Sequence, residues 1–318
     1  MILDKAILGK KAKELGFPRD TLEKVYRLAE ILKFMGDDEI LSQGLALKGG
    51  TSINLTIFDL PRLSVDIDLD YCRSIDRGKM LIDRKAITDK FNKYMTANGY
   101  TLSAKSKNHY ALDSLVYEYV NSGGVKDNLK IEINYMLRCH VLPVEKRKVN
   151  LPWEDDTFTV LSVAPVEIFA TKTVALLTRT ASRDLYDMFN MVQQKLFNEV
   201  DKEMFRKCVV FYSAISTEHP PKEFEFNIVG KISQQQIKRD LYPVLQLGSG
   251  FQLESAQEEV KKYLEKILIP TVNEKQFWND FSNGVYKPEL VFETEKELLN
   301  IKEHPMALWK CRDKKISE

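Results

Sequence analysis

The sequence predicts an α+β protein in two parts: a first half that combines helices with mostly antiparallel strands, and a mainly helical second half. Residues 63–71, "LSVDIDLDY", alternate strictly between apolar and polar side chains, which is the period of a half-buried strand. From Pro165 onward, apolar residues instead recur at helical spacing. We therefore expect a domain boundary between Pro143 and Pro165. Placing it at 155/156 gives an N-terminal domain of residues 1–155 and a C-terminal domain of residues 156–318.

The composition is that of a folded protein with balanced charge. The chain has 318 residues, of which 44% are hydrophobic, and its 47 basic and 46 acidic residues give a formal net charge of +1. A polyanionic partner would therefore have to meet a local basic patch. The four cysteines are far apart and form no CxxC pair, which argues against a zinc site, a thioredoxin-like centre or a disulfide scaffold.

The sequence also bears on where the protein works. The first residues lack the apolar run of a signal peptide, and no stretch of about 18 apolar residues occurs. Scattered, reduced thiols fit a reducing compartment. We therefore expect a cytoplasmic protein with no membrane partner.

The remaining elements follow from local patterns. Apolar residues at helical spacing predict a helix within residues 4–35, and a further short element follows at residues 39–47. The other predicted elements are a helix over 79–98, strands over 100–121 and 129–137 joined by the turn "NSGG", and helices over 166–180, 183–197, 201–215 and 255–268.

A glycine pair stands at the start of another predicted helix. Gly49 and Gly50 precede apolar residues at i, i+4 and i+7, so a helix should begin there, with Thr51 or Ser52 as its cap, and end at Pro61. Glycines ahead of a helix let a phosphate approach free main-chain N–H groups. A plain tight turn is the alternative interpretation. A Walker loop is excluded because the lysine precedes the glycines.

The strand that follows carries a set of carboxylates. Asp66 and Asp68 project from one face, together with Ser64 and Asp70, because side chains at i and i+2 share a face. Such a pair suits Mg²⁺, which prefers oxygen ligands. A solvated polar face is the structural alternative. A calcium loop of the EF-hand type is excluded because Tyr71 stands where that loop needs glycine.

These two motifs together resemble a known family. "GGT" followed by "DID" resembles the signature of the DNA polymerase β nucleotidyltransferase superfamily, and "KGGT…PRLSVDIDLD" is similar to the AbiEii/AbiGii-type toxins of bacterial abortive-infection systems. The resemblance implies a polymerase β-like core, with a mixed sheet flanked by helices, and a mainly helical C-terminal lobe.

A third carboxylate is expected from a neighbouring strand, as in that superfamily. The segment "NLKIEINYML" supplies Glu132, which shares a face with Lys130 and Asn134. Glu132 would complete the metal site and assist in removing the proton of the nucleophile. The alternative is an ordinary exposed strand glutamate.

The second half provides a second resemblance, because Lys172 and "RDLYD" are similar to the helical motifs of AbiEii-type toxins. Lys172 and Arg179 lie seven residues apart on one helix face and would neutralise a triphosphate. Asp184 is assigned to nucleotide binding, and Asp187 to positioning the nucleotide or assisting the chemistry. In the structural alternative, Asp184 favours a helix N-terminus and Asp187 forms an ion pair one helical turn away.

The resemblance implies a magnesium-dependent toxin that transfers a nucleotide from a nucleoside triphosphate to an RNA acceptor, with tRNA favoured. It also implies a cognate antitoxin and a role in defence against phage. Transfer to a small molecule or to a protein, and a non-catalytic nucleotide-binding role, remain alternatives. The expected metal ligands are Asp66, Asp68 and Glu132; the expected catalytic residues are these three with Lys172 and Asp187; and the expected nucleotide-binding residues are Gly49, Gly50, Thr51, Ser52, Ser64, Lys172, Arg179 and Asp184.

Overall fold

The chain forms two compact units in a computed structural model that describes residues 4–153 and 157–316. Unit one contains residues 1–138, 144–163 and 243–249, and unit two contains residues 139–143, 164–242 and 250–318. Each unit therefore includes a short segment from the other half of the sequence. The predicted boundary at 155/156 lies outside the described residues and stays a prediction.

Unit one is built on an eight-stranded mixed sheet. Its strands are β1 (Leu45–Lys48), β2 (Asp66–Tyr71), β3 (Thr101–Leu102), β4 (Lys107–Asn108), β5 (Leu112–Val120), β6 (Lys126–Asn134), β7 (Glu145–Lys148) and β8 (Thr159–Ser162). The order is β3-β5-β6-β2-β1-β8-β7, and β4 pairs with β5. The pairs β2–β6 and β1–β8 are parallel and the other pairs are antiparallel. The predicted α+β fold with a mixed sheet is confirmed.

The two faces of this sheet differ in polarity. In β6, Leu129, Ile131 and Ile133 are fully buried, whereas Lys130 and Glu132 between them are only half-buried. Strand β5 alternates in the same way, and its residues lie directly opposite those of β6. One face therefore forms the core of the unit, and the other face is polar and accessible. We call the second one the open face.

Five helices lie in the described part of unit one. They are α1 (Lys5–Leu15), α2 (Arg19–Asp37), α3 (Glu39–Gly44), α4 (Gly49–Ser52, continuing as a π-helix over Ile53–Ile57) and α5 (Arg77–Ala97). The helical stretch predicted within residues 4–35 is interrupted. Gly16 ends α1 in the left-handed conformation, with φ of 70°, and Pro18 is the N-cap of α2.

The predicted start of the helix at the glycine pair is confirmed, but its predicted cap and end were wrong. The helix begins at Gly49 itself, and its N-cap is Lys48 rather than Thr51 or Ser52. The π-helical turn ends at Ile57, well before Pro61, and Phe58 is already extended. The apolar spacing correctly predicted a helix here. It did not predict that the helix widens locally to a π-helix.

Unit two is helical, as predicted. Its α-helices are α6 (Pro165–Arg179), α7 (Ser182–Gln193), α8 (Glu199–Ser216), α9 (Gln234–Gln236), α10 (Leu253–Ile267), α11 (Val272–Ser282), α12 (Glu295–Ile301) and α13 (Pro305–Ile316). Helix α6 packs against α7 and α8, and α10 packs against α7. Phe211 on α8 lies among Phe277, Phe292 and Tyr286 in an aromatic core. No helix in the described ranges is long and apolar enough to cross a membrane.

Candidate active site

The register between β2 and β6 brings the predicted carboxylates together on the open face. In this parallel pair, Asp68 lies opposite Glu132, and Asp66 lies opposite Lys130. Neighbouring strands are about 4.8 Å apart, and side chains opposite each other point to the same face. Asp66, Asp68 and Glu132 therefore form one acidic patch across two adjacent strands, as the sequence predicted.

Asp70 has a different environment from the other two aspartates of β2. It is almost fully buried, and it lies opposite Asn134 on β6. Lys48, the last residue of β1, places its Nζ 2.5 Å from Asp70 Oδ1. This ion pair compensates the negative charge of Asp70 inside the sheet. The repulsion between like charges on β2 is therefore smaller than the presence of three aspartates suggests.

Lys130 is a second cation in this patch. Its Nζ lies 3.1 Å from Glu132 Oε2, and both side chains are about one-third exposed. Burial alone would lower the pKa of Lys130, but the hydrogen bond to Glu132 and the charges of Glu132, Asp66 and Asp68 outweigh it and raise the pKa. The three carboxylates are thus close enough to act together on one positive charge.

The glycine pair lies directly against these side chains. Gly49 has φ of 66°, and a Cβ placed on it would collide with Asp68 Oδ2. A Cβ on Gly50 would lie 2.7 Å from Arg62 Nη2 and 2.9 Å from Ser64 Oγ. Both positions therefore need glycine, because the backbone turn approaches the carboxylate strand so closely.

The hydroxyls of the turn are engaged within the protein. Thr51 is fully buried and donates to the main-chain carbonyl of Asp66, which ties the helix to β2. Ser52 is also buried, and its Oγ lies 2.9 Å from Ser162 Oγ and 3.2 Å from Thr56 Oγ1. In this structure both side chains hold the turn in place, so their predicted contact with a nucleotide stays a prediction.

The donor chemistry of the open face fits a divalent metal ion, although the side chains are not arranged as a finished metal site. Among the described residues, no group of three or more His, Cys, Asp or Glu side chains is close enough to hold a metal. Glu132 is turned toward Lys130. Hard oxygen donors on adjacent strands are nevertheless the ligands that Mg²⁺ uses.

The charged residues predicted in the second half form one cluster within unit two. Lys172 Nζ on α6 lies 2.7 Å from Asp184 Oδ1 and 2.8 Å from Asp187 Oδ2, both on α7. Arg179, at the end of α6, reaches Asp184 Oδ2 at 2.8 Å. Asp184 and Asp187 are buried, whereas the Arg179 side chain is 65% exposed. Arg183, which the structural alternative paired with Asp187 one turn away, donates to the carbonyl of Asp240 at 2.8 Å.

Sequence reasoning assigned no role to three residues of the first site. Lys48 and Lys130 supply its positive charge, and Arg62, almost fully buried, contacts the Gly50 turn. Arg62 also takes part in hydrogen bonds with Leu63 and Asn54. A lysine directly before the glycine pair was a visible signal. The role of Lys130 depended on the strand register, which the sequence does not contain.

A mixed sheet whose adjacent strands carry carboxylates beside a glycine turn defines a nucleotidyltransferase core of the polymerase β type. The model of the family "Nucleotidyl transferase AbiEii toxin, Type IV TA system" matches residues 33–275. The chain belongs to this family of nucleotidyltransferase toxins, as the sequence motifs predicted.

Solved structures support the fold. The chain is similar to MenT4, the nucleotidyltransferase toxin Rv2826c from Mycobacterium tuberculosis H37Rv, with a TM-score of 0.64 and 16% sequence identity. The match covers 96% of this chain and 99% of that one. At this identity the likeness concerns the fold alone. No curated protein sequence matches the chain.

Proposed function

We propose that this toxin transfers a nucleoside monophosphate from a nucleoside triphosphate to an RNA acceptor, tRNA foremost, and depends on Mg²⁺. The observation that carries the proposal is the placement of Asp68 between Glu132 on β6 and the Gly49 turn. Carboxylates and a close-approach turn are what a metal-bound triphosphate requires on its two sides.

The carboxylates and the glycine turn have separate roles in the proposed reaction. Asp66, Asp68 and Glu132 would hold the metal ion, which supplies charge neutralisation at the reacting phosphate. The glycine turn, which approaches Asp68 closely, would offer its main-chain N–H groups to the polyphosphate, and Ser64 lies next to Gly50. An acceptor hydroxyl forms a bond to the α-phosphorus, its proton passes to a carboxylate such as Glu132, and the bond to pyrophosphate breaks.

We also propose that the charged cluster of unit two takes part in binding the nucleotide. Lys172 is oriented by Asp184 and Asp187, which fixes its long side chain, and it would bind a phosphate by exchanging one of these carboxylate partners for it. Arg179, mostly exposed, is the other candidate for phosphate neutralisation. In this proposal the two aspartates act by positioning Lys172 rather than by touching the reacting atoms.

A labelling assay tests the reaction. The protein is incubated with Mg²⁺, each of the four α-³²P-labelled nucleoside triphosphates in turn, and total tRNA. We expect label in the RNA with at least one nucleotide, and none after chelation of the metal. Label in a polypeptide or in a small molecule would instead identify one of the other acceptor classes.

A growth assay tests whether toxicity needs this chemistry. We expect expression of the chain to arrest growth in the cytoplasm of a bacterial host, and the Asp66→Ala/Asp68→Ala variant, at equal expression, to relieve the arrest. Persistent arrest with that variant would favour the non-catalytic nucleotide-binding alternative. The family assignment also predicts that a cognate antitoxin relieves the arrest, and the proposed biological role is abortive infection in antiviral defence.

A further inference from the structure

The open face extends from the carboxylates to the far edge of the sheet in one continuous row. Asp68 lies opposite Glu132, Glu132 lies opposite Ser114 on β5, and Ser114 lies opposite Lys107 on β4. Residues that lie opposite one another share a face. Lys107 is therefore on the open face, three strand spacings from Asp68, which is about 15 Å at 4.8 Å per strand.

The edge around Lys107 is basic and carries an exposed aromatic ring. Lys105 and Lys107 are exposed, and Tyr110 is 60% exposed although it is a large aromatic side chain. The guanidinium of Arg77, at the start of α5, lies 5.6 Å from the centre of the Tyr110 ring. We call Lys105, Lys107, Tyr110 and Arg77 the basic–aromatic edge.

Hydrogen bonds from a side chain of α5 hold the backbone of this edge. Arg84 on α5 donates to the main-chain carbonyls of His109 at 2.7 Å and Tyr110 at 3.1 Å, and to Asn108 Oδ1 at 2.8 Å. Arg84 is itself fixed by Asp113, which is fully buried and accepts at 2.5 and 3.0 Å. A buried ion pair thus fixes a surface segment whose own side chains point into solvent.

Of the acidic groups near this edge, Asp113 is neutralised by Arg84. Glu118 accepts from Ser103 Oγ at 2.6 Å and Asp76 accepts from the N–H of Lys79 at 2.8 Å, and these neutral donors leave both carboxylates charged. The three cations Lys105, Lys107 and Arg77 outnumber these two carboxylates and lie at an edge with an exposed ring. Proteins that bind single-stranded nucleic acid use this combination, with cations on the phosphates and an aromatic ring on a base.

We propose that the basic–aromatic edge binds the single-stranded end of the RNA acceptor and leads it along the open face to Asp68 and Glu132. The proposal rests on the proposed function, since it names the surface that holds the acceptor of that reaction. Lys105 and Lys107 contact phosphates, Tyr110 stacks on a base, and Arg77 supports the ring. A single strand is specified because a stacking side chain needs an unpaired base.

Binding of a fluorescent single-stranded RNA, followed by anisotropy, tests this surface independently of catalysis. We expect Lys105→Glu/Lys107→Glu to weaken binding about tenfold or more. The slope of log K against log salt should fall by about 0.7 for each phosphate that the variant no longer neutralises. Tyr110→Ala should weaken binding roughly 5-fold to 100-fold, whereas Tyr110→Phe, which keeps the ring, should bind like the wild type.

The matched control is Lys146→Glu/Lys148→Glu, which makes the same charge change at exposed positions of β7, the opposite edge of the sheet. Equal weakening by both double variants, no weakening by either, or no binding by the wild type overturns the proposal. An unchanged RNA KM for transfer in Lys105→Glu/Lys107→Glu would point to a protein partner at this edge and would also overturn it.

The two proposals fail in different ways. RNA binding that depends on the basic–aromatic edge, without any transfer of label, supports the surface and contradicts the proposed reaction. Transfer of label with full activity in both edge variants supports the reaction and contradicts the surface. The KM for the nucleoside triphosphate should be unchanged in all edge variants, since none of these residues belongs to the carboxylate patch.

Discussion

Two charge clusters in this chain use the same residue types at different depths. On the open face of unit one, the carboxylates of Asp66, Asp68 and Glu132 share one face with Lys130. Glu132 and Lys130 are also partly exposed there.

In unit two the acidic groups lie deeper. Lys172 and Arg179 pair with Asp184 and Asp187, and the two aspartates are buried. Removing one cation from such a set leaves a poorly compensated charge in the interior, whereas partly exposed carboxylates are solvated by water and can accept an added cation. Substitutions in unit one should therefore affect activity, and substitutions in unit two should also affect stability.

The largest expected effect is the loss of activity in Asp68→Asn. This variant keeps the shape of the side chain but removes one of the charges that would hold the metal ion, so transfer should fall by about a thousandfold or more. Its midpoint of urea unfolding should change little, because the carboxamide keeps the shape of the side chain. Label transfer and urea unfolding measure the two effects.

Asp59→Asn is the control for this prediction, since Asp59 is an exposed acid of the same unit outside the patch. It should leave transfer unchanged. Wild-type activity in Asp68→Asn would remove the basis for placing the metal ion at β2.

Lys172→Met should be the most destabilising change. It leaves Asp184 and Asp187 buried without the lysine that lies 2.7 and 2.8 Å from them. Breaking a buried ion pair on one side costs about 3–5 kcal/mol in the free energy of unfolding. Urea denaturation of the two proteins at pH 7 provides the measurement.

Arg179→Met is the matched variant, because Arg179 pairs with the same Asp184 from a position that is 65% exposed. Exposed pairs contribute below about 1 kcal/mol, so this change should be mild. Equal stability losses for the two variants would mean that burial does not distinguish the members of this cluster.

Gly49→Ala should affect both stability and activity. Its φ of 66° costs an L-residue about 1–2 kcal/mol, and its new Cβ would collide with the carboxylate of Asp68. Gly99→Ala is the control, because Gly99 also has positive φ, of 82°, but a Cβ there meets nothing within 4 Å.

We expect both glycine variants to lose stability, Gly49→Ala more because of the collision with Asp68, and only Gly49→Ala to lose transfer activity. Thermal unfolding and the labelling assay separate the two effects. Normal transfer by Gly49→Ala would show that the turn need not approach Asp68 closely.

The sequence predicted those features that depend only on the periodicity of side chains within one segment. Alternation over residues 63–71 placed Asp66 and Asp68 on one face, because the strand period of two is a property of the chain itself. The role of Glu132 came from the family resemblance, and the register that sets it opposite Asp68 joins segments more than 60 residues apart. Lys130 was placed on the face of Glu132, but its effect on the carboxylates could not be predicted without that register.

Other features could not be read from local patterns. Lys172 meets Asp187 because α6 and α7 pack at a particular angle, and pairs on one helix were the only ones the sequence suggested. The break between α1 and α2 was predictable in principle, since Gly16 and Pro18 are ordinary signals for a helix end and a helix start.

The smallest expected effect is that of Asp38→Ala, which tests a balanced pair outside both clusters. Asp38 caps α3 by accepting from the N–H groups of Ile40 and Leu41 at 2.9 and 3.0 Å, and Lys90 Nζ lies 2.5 Å from it. Loss of such a cap costs about 1 kcal/mol. Burial would raise the pKa of Asp38, but the hydrogen bonds from Lys90 and the two N–H groups outweigh it and lower the pKa.

The sign of the pH dependence follows from that lowered pKa. The stability due to ionised Asp38 is complete above the pKa of the unfolded chain, near 3.8, and is lost as the pH falls through the lower pKa of the folded protein. The difference between wild type and Asp38→Ala should therefore be full at pH 7 and shrink below about pH 4. Urea unfolding at both pH values checks this, and a difference that grows toward acid pH would contradict it. Because this pair is balanced and only partly buried, its effect should be well below that of Lys172→Met, as the contrast between exposed and buried charge requires.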